Sequence, residues 1–109
     1  EDVDGAPALG ESTAQVLARV ERTLEERRVS PPEGSYVAKL YADAAKRHKK
    51  VGEEATELVV ASLAGSKEQV ASEAADLLFH TLVLLRAHGL GLSDVAAVLA
   101  AREGAPRRE

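Results

Sequence analysis

The chain has 109 residues, a formal net charge of -4 from 14 basic and 18 acidic residues, no Cys, and only Tyr36, Tyr41 and Phe79 as aromatics. That is one domain's worth of sequence, and the missing Cys excludes disulfides, thiolate zinc sites and a Cys nucleophile. Net acidity with so few aromatics speaks against nucleic acid as a partner, and with no apolar run of membrane-span length and no signal peptide the reading is a cytosolic protein.

Residues 1–11 are acidic, contain Gly and Pro, and have no periodicity, so they read as a flexible tail. Ser12 and Gln15 form an S-x-x-Q capping box. Val16, Leu17, Val20 and Leu24 follow at helical spacing, and the pattern ends near Arg28. Pro31, Pro32 and Gly34 break the chain. A short helix is expected from about Val37 to Ala45, with Val37, Leu40 and Tyr41 on one face. The basic run Lys46, Arg47, His48, Lys49, Lys50 comes next and reads as a solvated helix end or as a phosphate-binding flank. A further helical stretch carries Gly52, either as a helix start or as a costly interior residue, and stops at Gly65.

Ser66 then caps a helix from about Lys67 to His88, with Val70, Ala74, Leu77, Leu78, Leu82 and Leu85 inward. His88 and Gly89 read as its terminal turn. Ser93 is expected to cap a last helix through Val95, Val98 and Leu99 to about Arg102, and residues 104–109 read as a second tail. No strand pattern appears. The prediction is an all-α bundle of four or five helices over residues 12–103. Ile is absent and Ala, Leu and Val supply nearly all apolar residues. So thin a core in so short a chain calls for oligomerisation.

Two motifs carry chemistry. Glu54-x-x-Glu57, preceded by Glu53, and Glu73-x-x-Asp76 each place two carboxylates on one face of a helix. The connection at Gly65 is short, so the two helices should pack antiparallel and bring four carboxylates to one groove. Like charges about 6 Å apart repel by roughly 3 kcal/mol at an effective dielectric near 20. A positive partner is therefore needed. Oxygen-only ligands select a hard cation, Mg²⁺ or Mn²⁺, suited to polarising phosphates and activating water. The plain alternative is a set of acids on solvated helix faces. His80, one turn after Asp76, either orients a carboxylate or water or is a helix-surface residue. Ser35 and Tyr36 read as substrate contacts, or as an N-cap and a packing aromatic.

The string Lys49-Lys50-Val51-Gly52-Glu53-Glu54-Ala55-Thr56-Glu57, with Glu73-Ala74-Ala75-Asp76-Leu77-Leu78-Phe79-His80 farther on, closely resembles the phosphoribosyl-ATP pyrophosphatases of histidine biosynthesis. These belong to the MazG-like all-α nucleotide pyrophosphatases. The resemblance runs from Pro32 to the last helix. It implies Mg²⁺-dependent hydrolysis of phosphoribosyl-ATP to phosphoribosyl-AMP and pyrophosphate. It implies Glu54, Glu57, Glu73 and Asp76 as metal ligands, Glu53 as the group acting on the attacking water, and Lys46, Lys49 and Lys50 on phosphates. Ser35 and Tyr36 match a family Ser-Tyr element, and a homodimer is the family's usual state. The sequence departs from the pattern at Val37, where Thr is frequent, and at Arg47 and His48, where apolar residues are typical. Two other functions share parts of this pattern: a house-cleaning nucleoside triphosphate pyrophosphatase and a non-catalytic helical assembly module.

Overall fold

The computed structural model describes residues 10–104. The expected tails lie almost wholly outside that range. Five helices follow in order: α1 Thr13–Val29, α2 Tyr36–Ala42, α3 Ala44–Ala64, α4 Lys67–Ala87 and α5 Leu92–Arg102. The described residues contain no strand, as the all-α expectation required. No single helix among them is long and apolar enough to cross a membrane.

Local chemistry sets the helix ends. The Ser12–Gln15 capping box forms as the sequence indicated, and Ser66 and Gln69 build another at α4. Gly34 takes φ 76°, and the turn closes with the Ser35 N–H donating to the Pro32 carbonyl at 3.1 Å. Gly89, at φ 74°, ends α4 in a Schellman motif: its N–H donates to the Arg86 carbonyl and that of Leu90 to the Leu85 carbonyl.

Three expectations need correction. The helix expected over Val37–Ala45 is split at Asp43, whose side chain accepts from the Lys46 N–H and starts α3. The basic run 46–50 therefore does not follow a helix but fills the first turns of α3, at its N-terminal end, and Gly52 lies inside that helix. The dipole disfavours cations there. Arg47 finds a local use, since its Nη1 donates to the Leu40 and Tyr41 carbonyls and satisfies the end of α2. At α5 the cap is Gly91, not Ser93. The Leu92 N–H donates to Glu21 of α1 at 2.8 Å, and the Gly91 N–H to Asp94. A carboxylate from another helix thus does what a local hydroxyl was expected to do.

The core is small. Leu24 of α1, Val37 and Leu40 of α2, and Leu82 and Val83 of α4 are buried, with Val20, Tyr41, Phe79, Leu85 and Leu92 against them. Val83 was not expected inward, and Leu78, which was, is exposed. From Leu77 to Leu85 α4 is apolar on several sides, so the periodicity alone could not choose its buried stripe.

The α3–α4 hairpin projects from this core. Gly65 and Ser66 alone join its arms, so the two helices run antiparallel along their length. The only buried residue of α3 is Glu54. Nothing lies within 4 Å of a Cβ built on Gly52. Gly52→Ala should therefore stabilise the fold by about 0.5–1 kcal/mol in urea titration, because glycine costs that much in an exposed helix interior. A loss of stability would mean that another surface occupies that space.

Candidate functional site

The hairpin register decides which acids meet. Glu57 lies eight residues before Gly65 and Glu73 eight after it, so an antiparallel pair brings them level. One oxygen each from Glu54, Glu57 and Glu73 lies within 4.8 Å of the others. Oxygens about 2.1 Å from a single ion sit about 3–4 Å apart, so a small inward rotation suffices to close around one. Asp76 is exposed and stands outside this group of three. Its charge still reaches Glu73.

Two features mark the cluster as incomplete on its own. Glu73 Oε1 is shut off from solvent and has no hydrogen-bond partner. The Glu73 carboxyl is also pushed above the usual range, first by desolvation, then by its contact with Glu57 and the charges of Glu57, Asp76 and Glu54. Such an oxygen-only set fits a hard divalent cation, which would supply the missing positive charge and partner.

The protein supplies one counter-charge itself. Lys50 Nζ lies 3.2 Å from Glu54 and 3.5 Å from Glu53, and this bonding raises the lysine's pKa, with Glu54 the largest cause. The pair forms although Lys precedes Glu by four residues, the less favourable order on a helix. Burial of Glu54, at 6% exposure, gives the reason: the carboxylate needs a cation, and Lys50 is one turn away. Glu53 is partly exposed, and Lys49 Nζ is 3.8 Å from it.

Of the remaining candidates, Tyr36, His80 and Lys46 are linked to one another. Ser35 caps α2, accepting from the Ala38 N–H. Tyr36 is more than a packing aromatic: its O–H donates to His80 Nε2 at 2.9 Å. His80 Nδ1–H donates to the backbone carbonyl of Asp76, not to its carboxylate, at 2.8 Å. Lys46 Nζ lies 5.5 Å from the centre of the Tyr36 ring. The Tyr36–His80 link joins residues 44 apart, and no sequence signal announces it. Below the acids a groove of about 380 Å³ runs between α3 and α4 from Glu57 and Glu73 past Val60, Ala61 and Ala64.

The raised Glu73 value has a signed consequence. A carboxyl whose folded pKa exceeds its unfolded one supports the metal-free fold below the unfolded value and loses that support as pH rises through the folded value. Glu73→Gln should therefore melt with wild-type protein near about pH 4 and above it near about pH 7, both metal-free. The same variant should bind Mg²⁺ or Mn²⁺ on the order of 10²-fold more weakly in calorimetry, having lost a ligand charge. Lower stability at neutral pH would show that the Glu73 charge is already compensated.

Comparison with known proteins identifies the family. Residues 17–103 match the phosphoribosyl-ATP pyrophosphohydrolase family. A phosphoribosyl-ATP pyrophosphatase of Novosphingobium aromaticivorans is 53% identical over 91 residues, covering 83% of this chain and 85% of that protein. One from Caulobacter vibrioides is 45% identical over 96 residues, 88% of this chain and 90% of its own length. A histidine biosynthesis bifunctional protein of Deinococcus radiodurans is 47% identical over 102 residues, 93% of this chain but 46% of that longer protein. With the match spanning α1 through α5 and both acidic motifs, the chain belongs to the phosphoribosyl-ATP pyrophosphohydrolase family.

Proposed function

We propose that this chain hydrolyses phosphoribosyl-ATP to phosphoribosyl-AMP and pyrophosphate, a cytoplasmic step of histidine biosynthesis, with Mg²⁺ as the cation and Mn²⁺ as its substitute. The observation that carries the reading is the meeting of Glu54, Glu57 and Glu73 across one helical hairpin, with a buried Glu73 oxygen left without a partner. These three residues, with Asp76 beside them, would hold the ion. When bound, the ion neutralises phosphate charge and polarises the scissile linkage.

The chain's own groups do the rest. Water adds to a phosphorus of the α–β anhydride, that P–O bond breaks, and the electron pair leaves with the departing phosphate oxygen. Glu53 takes the water's proton. Its carboxylate stands outside the cation group and is steadied by Lys49 and Lys50. Lys46, Lys49 and Lys50 face the polyphosphate. Lys50 has three N–H donors, so it can turn one to a phosphate while keeping Glu54.

Purified protein with Mg²⁺ should release pyrophosphate from phosphoribosyl-ATP faster than from dUTP or other nucleoside triphosphates. Glu57→Gln should lower kcat/KM by about 10²-fold or more while leaving the helical signal unchanged. Preferred turnover of dUTP would instead favour the house-cleaning activity.

The working unit is a homodimer. The five buried apolar side chains among the described residues are a thin core, α5 buries none of its residues, and Val59, Val60, Leu63, Val98 and Leu99 are exposed. A second copy laid on these faces would cover them. Light scattering should give about twice the 11.5 kDa chain mass. Leu63→Glu combined with Val60→Glu should give monomer, and an unchanged mass would place the interface elsewhere.

A further inference from the structure

The three lysines at the start of α3 are not equivalent. Lys50 is paired with Glu54 and Glu53, and Lys49 with Glu53. Lys46 has no carboxylate partner among the described residues. Its ammonium faces the Tyr36 ring at 5.5 Å instead. A carboxylate neutralises the ammonium it holds. A ring face attracts the ammonium through its quadrupole, leaving the charge and the N–H donors intact. Lys46 is also one turn from Lys50 and two from Glu54, on the same stripe of α3. At about 1.5 Å per residue it lies roughly 12 Å along the axis from Glu54, a span that a polyphosphate and a lysine side chain can bridge.

The ring that holds Lys46 is itself fixed from another helix. His80 Nδ1–H is committed to the Asp76 carbonyl at 2.8 Å, which leaves Nε2 to accept the Tyr36 O–H at 2.9 Å. The two rings meet edge to face, 82° between planes and 5.9 Å between centres. Phe79 and the imidazole also meet edge to face, 82° between planes and 5.3 Å between centres. Position therefore passes from the α4 backbone through His80 and Tyr36 to Lys46. Tyr36 spends its proton on this link.

We infer that Tyr36 and His80 are positioning residues that hold Lys46, charged and, among the described residues, undocked from a carboxylate, for the phosphates of the substrate. The inference rests on the pyrophosphohydrolase reading and assigns Tyr36 a different task from direct substrate contact.

A double-mutant cycle tests it. Lys46→Ala, Tyr36→Phe and His80→Asn should each raise KM for phosphoribosyl-ATP about threefold to tenfold while kcat stays within about twofold. Asn keeps the donor to Asp76 but does not reach Tyr36, whereas His80→Gln restores an acceptor near the Nε2 position and should recover most of the wild-type KM. In a Lys46→Ala background, Tyr36→Phe and His80→Asn should add nothing further. Additive effects, an effect on kcat alone, or no effect would overturn the inference. Tyr36→Phe removes one hydrogen bond of a half-exposed side chain, so it carries the test if His80→Asn fails to fold. A wild-type protein without phosphoribosyl-ATP turnover would overturn the underlying reading, a result plainly different from normal turnover with additive variants.

Discussion

Like charges forced together by a two-residue turn are the constraint on which the molecule is arranged. Gly65 and Ser66 leave α3 and α4 no choice but to return along one another. The register then sets Glu57 opposite Glu73 and brings Glu54 beside both. Such a cluster opposes folding in the absence of a cation. The hairpin tolerates it because Lys50 already compensates Glu54, and because α3 and α4 are each capped by a side chain at the N-terminus. The unpartnered Glu73 oxygen is the part of the repulsion the protein does not relieve. Function and stability meet at that atom.

The rest of the chain holds this hairpin by one half only. The buried residues of α1 and α2 pack on Leu82 and Val83, in the second half of α4. The acids sit beyond that support, on the projecting half. Polar ties compensate for the small apolar core. Arg47 closes α2 against α3, Glu21 joins α1 to the start of α5 and to Arg86, and the Tyr41 hydroxyl reaches the Leu24 carbonyl. Gly91 is buried against Glu21 and Arg86, and a Cβ there would meet Glu21 Oε2 at 2.9 Å. Each tie satisfies a helix-end or backbone group that a larger core would have left to local caps. A chain built this way gains from a second copy, since an apolar face covered by association replaces an interior it cannot form alone.

The sequence by itself determined the helical class, the capping box at Ser12, the N-cap at Ser66, the turn at Gly34 and the end of α4 at Gly89. These depend on residues within five positions of one another, where backbone geometry and side-chain reach leave few options. It also determined the two acidic pairs, because i, i+3 spacing on a helix is a fixed geometry. Tertiary structure decided the rest. It decided which acids of α3 meet those of α4, since the register of two helices depends on their packing, and it placed Lys50 against Glu54 because burial overrode a weak local preference. It chose Val83 over Leu78 for the core, as α4 is apolar on more sides than one partner can cover. And it joined Tyr36 to His80 across 44 residues, a contact for which chain proximity supplies no cause.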